Sequence, residues 1–222
     1  YDDTHTLCDS DYFFMEKLQG NSLEHIKTDL SEQDLKEINE SIGVLTKTWQ
    51  HEKTSYFGYP FLLNLQAPTW KAAFLKMIDA VLNDGKRHFV DLGYDYNVIM
   101  DTIHSQQDCL DEVIDAHFVH WDCWDSNVFV NQHQLSGILD FERGFYGDPL
   151  AEALFRMKHP DQLIGYVKTN FKDTEIKRMR LYDLYLALVM VVEDSYRHYD
   201  THDIRNYGLY QIDQYMKEYS QK

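Results

Sequence analysis

The sequence predicts an α+β domain, mainly helical, with a small β-hairpin insert. Three observations lead there: two capped amphipathic patterns in the first half, a cluster of short apolar runs between residues 117 and 142, and two long helical patterns near the C-terminal end. A chain of 222 residues can form one large domain or two small ones and bury a sizeable core. No repeat, low-complexity tract or interdomain linker divides it.

Residues 11–18, DYFFMEKL, have the aromatic and apolar content of a strand, and Gly20 breaks the pattern. In residues 31–50, Ser31 is placed to cap a helix whose Leu35, Ile38, Ile42, Leu45 and Trp49 fall three or four apart. A second helix starts at Thr69, carries Trp70, Phe74, Met77, Ile78, Val81 and Leu82 on one face, and is expected to end at Gly85. The turn-rich residues 54–60 link the two, and residues 92–104 form a further helical pattern.

The character then changes. HFVHWD (117–122), NVFV (127–130) and SGILDFE (136–142) read as strands, with the polar NQHQ between the last two making a hairpin. Asp148 before Pro149 reads as a cap with proline at the first helical position, opening a helix through DPLAEALFRM. Helices at about 174–199 and 203–219 complete the chain.

Charge and cysteine content narrow the function classes. With 37 acidic against 21 basic residues the formal charge is −16, which disfavours nucleic acid and anionic membrane and mildly favours cationic partners. Cys8, Cys109 and Cys123 have no metal-type spacing and read as thiols of a reduced, cytoplasmic chain. The longest apolar run, LALVMVV at 186–192, is far short of the roughly 20 residues that span a bilayer.

The chemistry concentrates in residues 119–152. Asp122 lies five residues before Asn127, and Asp140 lies thirteen after it on the far arm of the hairpin, so the return turn can bring all three together. A carboxylate that accepts a hydroxyl proton, beside oxygen ligands for magnesium, suits phosphoryl transfer. By residue type alone, an Asp or Asn in a turn is more often a turn former.

The pattern His120-x-Asp122, four residues, Asn127, then Asp140-Phe141-Glu142 resembles the aminoglycoside phosphotransferase and choline kinase family, and GDPLAE resembles that family's helix start. The resemblance implies the C-terminal lobe of a protein-kinase-like fold. It implies Asp122 as catalytic base, Asn127 and Asp140 as magnesium ligands, and His120 as a brace of the loop rather than a proton carrier. Trp121 stands where the family usually has glycine.

The same resemblance makes residues 12–23 the last strand of the N-terminal lobe and the hinge. Glu16 and Leu18 would contact adenine through backbone only, and Met15 would border its plane; whether the nucleotide is ATP or GTP stays open. Residues 1–20 are thus expected to be a remnant of N-terminal lobe strands and hinge, and 21–222 the catalytic lobe. The phosphate-covering loop and strand lysine of the family have no counterpart, so the natural protein is expected to be longer and this chain to be a weak catalyst alone.

In the family the acceptor sits between the catalytic loop and the C-terminal helices. Trp124, Asp125 and Glu142, with Glu193 and Asp194 on the helix at 182–199, are pocket candidates, and carboxylates there would suit a small cationic or sugar-like acceptor. The carboxylates of a solvent face would look the same. The expected activity is transfer of the γ-phosphate of ATP to a hydroxyl of a small molecule. The alternatives are an inactive kinase-like protein that binds a ligand or partner, and a protein kinase, disfavoured because Glu142 replaces the glycine after Asp-Phe. The sequence does not set the oligomeric state.

Overall fold

Residues 11–18 do not form the expected strand. In the computed structural model, which describes residues 1–197 and 199–219, this stretch has no regular secondary structure, and its one pairing is a bridge from Tyr12 to Asp2. The physical reason is the lack of a neighbour. Apart from that bridge, no strand among the described residues offers the stretch backbone partners, and Phe13, Phe14 and Met15 stay exposed.

Pairing begins at β1 (Asn21–Ser22), followed by the short helix α1 (Leu23–Ile26). Helix α2 (Glu32–Trp49) starts where expected, because Ser31 accepts from Asp34 N–H while the Asp34 carboxylate accepts from Ser31 N–H. After β2 (Lys53–Thr54) comes α3 (Trp70–Arg87), capped by Thr69. Gly85 does not end α3. It stays helical and buried, and a side chain there would meet the Tyr96 hydroxyl 2.7 Å away, so this glycine makes room for a neighbour. Helix α4 (Tyr96–Gln106) begins later than expected, because Asp95 caps it by accepting from Asn97 N–H.

The strands follow as β3 (Ala116–Val119), β4 (Val128–Asn131), β5 (Gln134–Ile138) and β6 (Phe145–Gly147). They form two antiparallel sheets, ordered β1-β4-β5 and β2-β3-β6. Gln132 and His133 both have positive φ, the two-residue primed turn that keeps the β4–β5 arms twisted together. The expected third strand stops early: residues 141–143 make a 3₁₀ turn instead.

The predicted helix from Asp148 is broken in two. Residues 149–151 form a 3₁₀ turn, Glu152 is extended, and α5 (Ala153–Met157) begins after it. Helix α6 (Pro160–Tyr166) had no clear sequence signal, while α7 (Asp173–Arg197) and α8 (Asp203–Tyr219) match expectation. Residue 198, inside the helix expected at 174–199, lies outside the described residues.

The main core packs α3, α7 and α8 around Trp70, Phe74, Tyr182 and Leu188. A smaller one sets Ile38 and Ile42 of α2 against Val128 and Val130 of β4. Buried Asp148 ties the site segment to α7 by accepting from Arg178 Nε at 2.7 Å and the Tyr182 hydroxyl at 2.8 Å. The Tyr182 oxygen in turn accepts from Trp70 Nε1 at 2.7 Å. Satisfying each buried polar atom in this way is what lets the carboxylate stay in the core. No helix among the described residues is long and apolar enough to cross a membrane.

Candidate active site

The loop from β3 to β4 carries Asp122, and its shape is fixed from three sides. Buried Glu152 accepts from His120 N–H at 2.7 Å and Trp121 N–H at 3.1 Å, while Trp49 Nε1 donates to it at 2.8 Å. The extended backbone at Glu152 that breaks the predicted helix is what turns this carboxylate toward the loop.

His120 makes the second contact. Asp122 N–H donates to His120 Nδ1 at 3.3 Å, and Nε2 lies 2.9 Å from the Leu139 carbonyl. A carbonyl can only accept, so Nε2 carries the proton and Nδ1 the lone pair. The imidazole therefore clips the Asp122 loop to the residue before Asp140.

Asn127 makes the third. Its Nδ2 donates to the Asp122 carbonyl at 2.9 Å and its carbonyl accepts from Leu139 N–H at 2.9 Å. With Nδ2 so committed, Oδ1 is the side-chain atom left to act as an acceptor or ligand. Asp140 is exposed, with a left-handed backbone at φ 63° and ψ 58° and no hydrogen bond to its carboxylate among the described residues. One amide oxygen and one free carboxylate are donors of the hard type that magnesium takes when phosphates and water complete its shell. No group of three or more His, Cys, Asp or Glu among the described residues could hold a metal by itself.

Trp121 also has positive φ, 71°, the region where glycine is natural. Its buried ring packs against Tyr185 and has two guanidinium groups over it, Arg143 at 5.8 Å and Arg156 at 5.5 Å from the centroid. That packing offsets a backbone cost of roughly 1–2 kcal/mol. Neighbouring Cys123 is buried, and burial, followed by the charges of Glu152 and Asp122, pushes its thiol well up, so it is no nucleophile.

The Asp122 side chain, about one-third exposed at 32%, opens on a cavity of about 680 Å³ between this loop and α7 and α8. Trp124 and Glu193 line it, but Glu193 is already paired, 3.0 Å from Arg143 and 3.4 Å from Arg197. Burial works against the Arg143 charge. The Glu193 hydrogen bond and charge, with Asp122 and Glu142 adding, nonetheless hold its pKa above the ordinary arginine value.

The other pocket candidates lie elsewhere. Asp125 pairs with Lys27 at 2.9 Å, Asp194 accepts from His202 at 3.0 Å, and exposed Glu142 sits 3.9 Å from Arg143. The cavity instead gathers Arg143, Arg156, Lys158 and Arg180 against Asp122, Asp183 and Glu193. In a chain of charge −16 this lining is locally cationic.

Met15 and Glu16 are exposed, and Leu18 is half-buried. Just beyond, Ser136 donates to the Gln19 carbonyl at 2.8 Å, and Gly20, at φ 93°, passes so close to β4 that any side chain would strike the Val130 carbonyl. The segment thus crosses over the β4–β5 hairpin that carries Asn127 and Asp140 near its ends.

A family model described as the phosphotransferase enzyme family (APH) matches residues 1–159, which includes the whole loop and Asp140. The chain belongs to the phosphotransferase enzyme family. Its kinase-like fold agrees with solved structures. An apo thermostable mutant of aminoglycoside phosphotransferase APH(4)-Ia matches with TM-score 0.65 and 18% identity over 91% of this chain and 70% of that one. The gentamicin complex of APH(2")-IIa matches with TM-score 0.60 and 16% identity over 90% and 69%. A ternary complex of the APH(4)-Ia mutant with AMP-PNP and hygromycin B matches with TM-score 0.63 and 18% identity over 90% and 70%. No curated protein matches the chain. Glu152, central to the phosphotransferase loop, was missed by the motif reading, although one acidic residue inside the apolar run LAEALF was a usable signal.

Proposed function

We propose that this phosphotransferase moves the γ-phosphate of ATP to a hydroxyl of a small molecule bound in the cavity beside α7. The observation that carries the reading is the partly exposed Asp122 carboxylate, held at the cavity mouth by a loop that His120, Asn127 and Glu152 brace. AMP-PNP and ADP in structural relatives support a nucleotide as co-substrate.

In this reading Asp122 accepts the proton of the acceptor hydroxyl as its oxygen bonds to the γ-phosphorus. The bond from that phosphorus to the bridging oxygen of ADP breaks, and ADP leaves. Asn127 Oδ1 and the Asp140 carboxylate would hold magnesium, which when bound neutralises charge on the phosphate oxygens. Arg143, with Nε 3.8 Å from Asp122 Oδ2, helps to orient that carboxylate. Residues 1–20 serve as N-terminal lobe remnant and hinge, with Met15, Glu16 and Leu18 beside the nucleotide base, and 21–222 as the catalytic lobe.

The test is phosphate transfer from magnesium-ATP, with Asp122→Ala as the variant. Turnover should fall roughly 10²–10⁴-fold while nucleotide affinity changes little. Unchanged turnover removes Asp122 from the chemistry.

A further inference from the structure

The expectation of a cationic acceptor rested on Glu193 and Asp194, and neither offers a free carboxylate to the cavity: Glu193 is held by two arginines, and Asp194 accepts from His202. The far end of the cavity points the other way. Along α7, Arg180 lies thirteen residues before Glu193, about 20 Å away by helix rise. There it meets Arg156 and Lys158 at the end of α5.

Two of these cations have no ion-pair partner among the described residues. Arg156 donates only to the carbonyls of Ala151 at 2.6 Å and Trp121 at 2.5 Å, which leaves other donors of its guanidinium unused. Lys158 sits at a left-handed C-cap with φ 52°, and its side chain makes no hydrogen bond or ion pair among the described residues. Arg180 does have partners, Glu218 at 2.8 Å and Asp183 at 3.7 Å. Asp183 is the one acidic lining residue at this end, and burial, against the pull of Arg156, Arg180 and Lys158, raises its pKa. Arg156 feels the charges of Asp183, Glu152 and Asp122 but is in direct ion-pair contact with none of them among the described residues, and a guanidinium withdrawn from water without direct pairing favours an anion beside it.

We infer that the acceptor is an alcohol bearing an anionic group, a carboxylate or a phosphate, which docks on Arg156, Lys158 and Arg180 while its hydroxyl reaches Asp122. That the ligand is an acceptor rests on the phosphotransferase reading; that the cavity selects anions does not. Leu186, Val189 and Met190 line the stretch between the two ends and suit the carbon skeleton.

The test varies charge on one scaffold. Gluconate, glucose 6-phosphate, glucose and glucosamine are titrated calorimetrically into the full chain with magnesium-ADP present, then offered with magnesium-ATP. Both anions should bind about tenfold or more tighter than glucose, and glucosamine no tighter than glucose. Lys158→Asn, which tolerates the left-handed backbone, combined with Arg180→Gln should erase the preference to within about threefold while leaving the ADP affinity of the folded protein in place.

Tighter binding of glucosamine than of glucose, equal or no binding of all four compounds, or a preference that survives in the double variant would overturn the inference. Weakened ADP binding in that variant would also overturn it, by assigning the cations to the nucleotide's own phosphates. Anion-selective binding with no phosphate transfer to either anion would leave the charge preference standing and count against the phosphotransferase reading alone.

Discussion

Glu152 offers the sharpest test of how the loop is held. Its carboxylate is 1% exposed and accepts three hydrogen bonds, with Oε1 taking His120 N–H and Trp49 Nε1–H and Oε2 taking Trp121 N–H. Glutamine has nearly the same shape but only one oxygen. If that oxygen keeps His120 and Trp49, the amide nitrogen meets Trp121 N–H, donor against donor. The variant Glu152→Gln then loses one charged hydrogen bond and strands a buried N–H, which should cost about 2–4 kcal/mol. Glu152→Ala strands all three donors and should cost more, about 3–6 kcal/mol. Urea denaturation reads both.

Activity supplies a second readout, because Glu152 touches no substrate in the proposed reaction. A loop released by about 1 Å at Asp122 should lower kcat roughly 10²-fold and leave nucleotide affinity nearly unchanged. Wild-type stability and wild-type kcat in Glu152→Gln would refute the idea that this carboxylate sets the loop.

Three further outcomes follow from other contacts. Asp140→Ala should remove the magnesium-dependent part of nucleotide affinity in titrations with and without the metal; equal losses in both would deny Asp140 that role. A Cβ at Gly43 of α2 would overlap the Gln162 carbonyl and lie 2.7 Å from Tyr166 N of α6, so Gly43→Ala should destabilise by about 3 kcal/mol in denaturant melts instead of adding the roughly 1 kcal/mol of helix propensity. Burial raises the folded-state pKa of Asp183 despite nearby cations, so the native state there binds more protons than the unfolded chain. The stability of wild type relative to Asp183→Asn should therefore fall as pH rises above about 3.9 and level off once the folded pKa is passed; a rising difference in pH-dependent melts would contradict that sign.

The helices were legible because their signals are local. Ser31 and Thr69 each cap a helix through a bond to a residue three positions on, and the apolar spacing of α2 and α3 matches the face each buries. The errors came where a distant residue decides. Gly85 looks like a terminator until Tyr96 and Val192 are placed against it, and residues 11–18 look like a strand until no strand arrives to pair with them. The break at Glu152 is similar: nothing in DPLAEALFRM forbids a continuous helix, but the donors on Trp49, His120 and Trp121 draw that carboxylate out of helical geometry.

The site divides along the same line. The spacing of Asp122, Asn127 and Asp140 could be read because a hairpin return is a short-range event, and His120 completes it by joining Asp122 N–H to the Leu139 carbonyl. The charge of the cavity could not be read, because it depends on which carboxylates are already occupied. Overall composition predicts an acidic pocket, yet Glu193 is taken by Arg143 and Arg197, Asp125 by Lys27 and Asp194 by His202. Pairing of this kind joins residues up to a hundred positions apart and leaves no period in the sequence. Trp121 shows the same dependence within one residue. Its left-handed backbone would favour glycine, but an indole there gives Arg143 and Arg156 a common surface, so the residue that departs from the motif also helps to place two of the cavity's cations.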